Sequence, residues 1–223
     1  MDAATLAGVA ARRSAMYWLL ADLFLTCPNE ILVVRLRRDF IGVQKTAAGD
    51  SLATSLSALR DALPEVKDAA GITKLAVEYT RLFGAINASY GLPPPYESVH
   101  RSAGEAAALA VAVSEYYSAA GLAPTDQASP PDHLGVELKF VALSCHSERE
   151  AWQQDRAAEA IQALGRQRTF LDDHLLRWAP GYWELVQAKA QHEFFRQLAT
   201  LARRSVTADR ALIEEILVEL DAA

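Results

Sequence analysis

The chain has only two cysteines, Cys27 and Cys145, in 223 residues. Two are too few for a disulfide framework, so a reducing compartment, the cytoplasm, is expected. No uninterrupted apolar run is long enough to cross a bilayer, and mean hydropathy is near zero, so no stable membrane insertion is expected. Runs of β-branched residues are scarce, which removes the usual material of sheets. The sequence holds no G-x-S-x-G elbow and no Gly-rich phosphate loop, so the common hydrolase and nucleotide sites are excluded and no cofactor is called for. Positive charge is also short. Lys and Arg number 22 against 28 Asp and Glu, a net charge of −6 that argues against a nucleic-acid surface and suits a basic ligand.

What is present is helical material. Ala, Leu, Glu and Arg dominate, and half of the residues are hydrophobic, enough for a sizeable core. The expectation is an all-α protein of about ten helices, with residues 1–223 forming one compact domain. Leu6, Val9, Met16, Leu19, Leu20 and Leu23 predict a first helix over about Thr5 to Thr26. Arg12-Arg13 ahead of Met16 to Leu20 superficially resembles a twin-arginine export signal. Asp22 interrupts that apolar run and no small-residue cleavage site follows, so this helix is expected to stay in the mature protein.

Further helices are predicted over about Glu30 to Phe40, Ser51 to Leu63, from Ile72 onward, Glu105 to Ala120, and His133 to Glu148. Gly121 is placed as the glycine that ends the fifth. Three more are expected over Trp152 to Arg168, Thr169 to Trp178 and Gly181 to Arg204. Thr207 would cap a last one carrying Leu212, Ile216 and Leu220. Residues 123–131, APTDQASPP, make the clearest linker, a hinge before the C-terminal helices. A hinge there would let those helices exchange between protomers, so a monomer is expected, with a domain-swapped dimer as the alternative assembly.

One stretch asks for more than a structural account: Glu78 to Arg101, EYTRLFGAINASYGLPPPYESVHR. Leu75, Tyr79 and Leu82 continue a helix that Gly84 breaks. Pro93, Pro94 and Pro95 then fix φ and remove three backbone donors, giving a stiff extended corner. Ser102 opens a capping box with Glu105, where the helix is expected to restart. The plainer account makes this an interhelical loop whose aromatics plug the core. Asp132, likewise, is expected to sit where the N-cap of the next helix belongs.

Tyr79-x-x-Leu82-Phe83, a spacer, then Pro94-Pro95-Tyr96-Glu97-Ser98-Val99 resembles the signature of the TorD/DmsD/NarJ family of redox-enzyme maturation chaperones. Pro131-Asp132-His133 opening a helix is similar to that family's second marker, in the right order. The chain departs from the pattern at His100-Arg101, where an aromatic residue is expected. The resemblance implies a TorD/DmsD-type fold over essentially the whole chain and a non-catalytic, cytoplasmic chaperone. Its implied partners are the twin-arginine signal peptide and catalytic subunit of a molybdenum-cofactor oxidoreductase, which it would hold back from export until the cofactor is loaded. Carried over by motif position, the peptide-binding residues are Tyr79, Leu82, Phe83, Pro95, Tyr96, Glu97, Asp132 and His133. Leu82, Phe83, Pro95 and Tyr96 would line an apolar groove, and Glu97 and Asp132 would receive the basic end of the peptide.

Two alternatives stand beside this. A small helical metal protein would use His133, Glu137 and the Cys145-His146 pair, although no third and fourth ligand follow a recognised spacing. A structural assembly subunit would use the Pro-rich corner for docking without binding a peptide. Metal analysis separates the first from a chaperone, and a pulldown with an isolated signal peptide separates the second.

Overall fold

A computed structural model describes residues 1–40, 51–84, 91–101, 106–122 and 129–222. Its helices are α1 (Ala3–Leu25), α2 (Glu30–Asp39), α3 (Ser51–Asp61), α4 (Ala69–Phe83), α5 (Glu97–Arg101), α6 (Ala106–Ala119), α7 (Leu134–Gln153), α8 (Ala157–Phe170), α9 (Leu176–Lys189) and α10 (Glu193–Asp221). A π-helical turn, Leu171–Leu175, joins α8 to α9. Among the described residues no strand forms, and no helix is long and apolar enough to cross a membrane. The all-α expectation therefore holds. The capping box at Ser102 and most of the linker at 123–131 lie outside the described residues.

Contacts divide the chain into two compact units. Unit 1 comprises Met1–Leu25, Tyr96–Ala179 and Thr207–Ala223; unit 2 comprises Thr26–Pro95 and Pro180–Val206. In unit 1, α1 packs along α7, α7 against α8, and α5 against α6. The buried face of α1 runs Leu6, Ala10, Arg13, Tyr17, Leu20, Phe24, a strict alternation of three and four. At the crossing of α1 with α7 the backbones come close. A Cβ on Gly135 would lie 2.4 Å from Leu25 Cγ, so only glycine fits.

A cation sits in the middle of that apolar stripe. Arg13 reaches three other helices at once. It bonds Glu148 of α7 at 2.7 Å, Gln167 of α8 and Asp209 of α10. Tyr17 donates to the same Asp209 at 2.9 Å, and Gln167 donates to Glu148 at 3.0 Å. All five groups are buried. Burial of two carboxylates is tolerable only while the guanidinium is paired with them.

Unit 2 assembles around Leu75, Leu82, Phe194, Phe195 and Trp183, all buried. The Asn29 side chain accepts from Leu32 N at 2.9 Å to begin α2, and Asp68 accepts from Gly71 N at 2.8 Å to begin α4.

Three local expectations are corrected. Thr207 caps nothing: α10 continues unbroken from Glu193 to Asp221, since no glycine or proline interrupts it and Val206, Ile213 and Ile216 stay on its buried side. Glu97 does not lie in an extended loop but is the first residue of a short helix, α5. The helix boundary expected between Glu148 and Trp152 falls instead after Gln153, where Asp155 at φ 55° makes the turn, one of the few side chains that tolerate that region. Gly121, by contrast, ends α6 as expected at φ 70°, with Leu122 N donating to Tyr117 O at 2.9 Å.

Arg13→Met is expected to destabilise the protein by about 3–5 kcal/mol, because it leaves Glu148 and Asp209 buried without their counter-charge. Urea unfolding of parent and variant checks this. A loss under about 1 kcal/mol would mean water reaches the cluster.

Candidate functional site

The two sequence motifs meet through backbone as well as side chains. Tyr96 and His133 form an isolated antiparallel bridge, with Glu97 N donating to Asp132 O at 2.9 Å. The Asp132 carboxylate accepts from Ser98 N at 3.1 Å. Asp132 therefore caps α5, not α7 as expected from its place in the sequence. The N-cap of α7 is His133, whose Nδ1 accepts from Gly135 N at 3.0 Å. The rings of Tyr96 and His133 pack edge to face at 5.4 Å, both half-buried.

This clasp delivers Glu97 into the interior of unit 1, where its exposure is 0%. One carboxylate oxygen takes Arg101 Nη1, and His174 Nδ1 lies 3.0 Å from the other. His174 comes from the π-helical turn, and the preceding carbonyl of Asp173 accepts from Arg101 at 2.8 Å. Glu137, one turn along α7 from His133, is fully buried as well. Trp178 Nε1 donates to its Oε2 at 3.2 Å, while its Oε1 has no partner. Burial, with the Glu97 carboxylate second, holds the Glu137 carboxyl well above the usual carboxylate range. His100 stacks on Trp178 at 5.3 Å. Tyr116, Phe140 and Phe170 close the wall behind His174.

Burial pushes His133 down to about 4, although the Asp132 carboxylate pulls the other way. Its capping role fits the neutral ring, since Nδ1 must be unprotonated to accept.

Tyr96, Glu97, Asp132 and His133 are thus brought together in unit 1. Tyr79, Leu82, Phe83 and Pro95 belong to unit 2. There Leu82 and Phe83, expected on an open groove, are 1% and 8% exposed. Phe83 packs against Tyr79 at 5.1 Å and Phe195 at 5.7 Å, and Pro95 is buried too. These residues are core because the stripe Leu75, Tyr79, Leu82 faces inward on α4. The opposite stripe, Thr73, Ala76, Val77 and Thr80, lines a groove of about 820 Å³ with Pro28 and Ile72. Val77 is 63% exposed there.

The metal alternative finds other uses for its residues. His133 caps α7, His146 pairs with Glu150 at 3.4 Å, and Cys145 is buried against Gln167. Burial pushes the Cys145 thiol up, away from the thiolate that a metal or nucleophile needs. Among the described residues no three His, Cys, Asp or Glu are grouped to hold a metal ion.

Sequence reasoning missed His174, Trp178 and Arg101 as members of this centre, and weighed Glu137 only as a metal ligand. Glu137 had a usable signal, a carboxylate inside the apolar stripe Leu134, Leu138, Val141. His174 had none, because it is carried in by a π turn.

The chain is all-helical, with a buried acidic centre assembled from two separated motifs. The comparisons give the family. Residues 46–184 match the family model described as nitrate reductase delta subunit. The chaperone protein TorD of Vibrio cholerae is 27% identical over 213 residues, covering 93% of this chain and 94% of that protein. A perchlorate reductase assembly chaperone protein of Dechloromonas aromatica is 32% identical over 127 residues, 56% of this chain and 54% of that one. The chaperone protein YcdY of Escherichia coli is 28% identical over 154 residues, 69% of this chain and 72% of its own length. The chain belongs to the TorD/DmsD/NarJ family of redox-enzyme maturation chaperones.

Two outcomes are expected. Phe83→Ala costs about 3–5 kcal/mol of stability, as for a core phenylalanine; an unchanged melting temperature would return Phe83 to the surface. His133 supplies a pH dependence. The unfolded chain protonates it near 6.5, the folded chain only near 4, so stability falls as pH drops through that window. Glu137 works in the opposite sense, its folded-state carboxyl holding a proton that the unfolded chain releases above 4.5. Comparison with His133→Asn, which keeps an N-cap acceptor, isolates the histidine. Urea melts between pH 4 and 7 should show a shallower acid loss for the variant.

Proposed function

We propose that this chain is a cytoplasmic maturation chaperone that binds the twin-arginine signal peptide of a molybdenum-cofactor oxidoreductase subunit. It holds the subunit back from export while the cofactor is inserted, acts as one helical chaperone domain without catalysing a reaction, and works as a monomer.

The observation that carries this reading is the acidic centre of unit 1. Glu97, Asp132 and Glu137 are gathered there by two motifs far apart in the chain. The surrounding unit reinforces it. Unit 1 contains ten Lys and Arg against nineteen Asp and Glu, whereas unit 2 contains twelve against nine. The acidity of the chain is therefore concentrated in the unit that holds Tyr96, Glu97, Asp132 and His133. A basic peptide segment is attracted by that field, and the short-range match comes from the fork of a guanidinium on a carboxylate. Half-buried Tyr96 and His133 and exposed Val99 offer apolar contact beside it. Glu97 is the charge-bearing contact, and Asp132 positions it by capping α5. The names of the relatives, assembly chaperones of oxyanion reductases and TorD, support the same reading.

The test is a double-mutant cycle by calorimetry at fixed salt. It pairs the parent and Glu97→Gln with a signal peptide and with the same peptide carrying glutamine for both arginines. Glu97→Gln should weaken the native peptide about tenfold to a hundredfold, the worth of one charge-assisted hydrogen bond. It should barely change the glutamine peptide. Equal losses for both peptides would leave recognition to apolar contact alone.

A further inference from the structure

His100-Arg101, the pair that departs from the family pattern, has a defined place in the acidic centre. We propose that Glu97 and the Asp173 carbonyl form a guanidinium subsite that the chain's own Arg101 occupies, and that a client arginine enters by displacing it. This rests on the peptide-binding reading above and adds to it the occupant of the subsite at rest.

Three observations carry the inference. First, the two acceptors are those that a guanidinium needs. Arg101 Nη1 bonds a Glu97 carboxylate oxygen and the Asp173 carbonyl, one on α5 and one on the π-helical turn. Second, the acceptor is buried and the donor is not. Glu97 is 0% exposed while the Arg101 side chain is 30% exposed, so the guanidinium can leave into solvent on its own rotamers while the carboxylate stays. Third, the neighbourhood keeps a buried polar atom with no hydrogen-bond partner. Glu137 Oε1 is buried without a partner, and Glu137 interacts electrostatically with both Glu97 and Arg101.

Displacement suits the energetics of a buried carboxylate. Leaving Glu97 unpaired would incur the desolvation penalty of an isolated buried charge. Exchanging one guanidinium for another avoids that state, because His174 holds the second oxygen throughout. The internal arginine then sets a threshold. A ligand must offer a guanidinium, and one that merely offers apolar surface has nothing to exchange. An internal competitor lowers apparent affinity by the fraction of molecules in which the subsite is open.

The experiment measures binding of a twin-arginine signal peptide, and of its double-glutamine form, to the parent, Arg101→Gln and Arg101→Lys. Arg101→Gln removes the competitor and should bind the arginine peptide about threefold to tenfold more tightly, the range of one intramolecular hydrogen-bonded pair. Arg101→Lys keeps a cation, but a more strongly hydrated one on a different stem, so it competes less well than the arginine and should show a smaller gain in the same direction. The glutamine peptide should respond to neither substitution. Should Arg101→Gln fail to fold, Arg101→Lys alone decides the sign. A binding loss in both variants, or an equal change for both peptides, overturns the displacement and leaves the peptide reading standing. Binding of the arginine peptide to the variants but not to the parent supports it in its strongest form. Absence of binding to all three proteins overturns both readings together.

Discussion

One buried guanidinium holds unit 1 in register. Arg13 lies in the middle of the apolar face of α1 and is paired with groups on α7, α8 and α10. Apolar contacts alone are tolerant of sliding and rotation, since one aliphatic neighbour replaces another at little cost. A forked cation with three fixed acceptors is not tolerant. It selects one rotation of α1 and one height of α10 against α7, and every other arrangement strands a buried charge. The position of the acidic centre follows from this. Glu137 and Glu148 are on the same helix, so the pairing that fixes Glu148 also fixes where α7 presents Glu137.

The centre itself is built by economy of chain. A proline-stiffened corner brings Tyr96 beside His133, one backbone hydrogen bond joins the segments, and the Asp132 carboxylate begins α5 from a distant stretch of sequence. The result is a short helix that could not stand alone, held at its first residue by another segment. That is why Glu97 is oriented inward with its partners in place. The burial of Glu97 and the start of α5 therefore draw on the same few contacts.

Helical class, the identity of the motifs and most helix spans were legible in the sequence, because they depend on composition and a period of 3.6 residues. The rest depended on partners that the sequence does not name. Asp132 stands at the right place to cap α7, yet its side chain turns to α5, and only three-dimensional proximity decides between two N-termini. Leu82 and Phe83 are apolar on either face of α4; the inward stripe was readable, but the family motif argued for an open groove. Thr207 is a competent cap in isolation, overridden by a helix whose buried side runs straight through it. Arg13 resembled part of an export signal, and its position in the stripe Ala10, Arg13, Tyr17 was the sign of burial.

The order in which the chain is made has a consequence for a protein of this design. Unit 1 is assembled from three separated segments, and Arg13 is 196 residues away from its Asp209 partner. At the usual pace of translation, α1 leaves the ribosome about ten to forty seconds before that partner exists. α7, which covers the apolar face of α1 and brings Glu148, follows partway through that interval, but Arg13 lacks Asp209 until its end. The chain thus begins with its own cation short of a partner, and depends on late synthesis of its last helix to bury it fully.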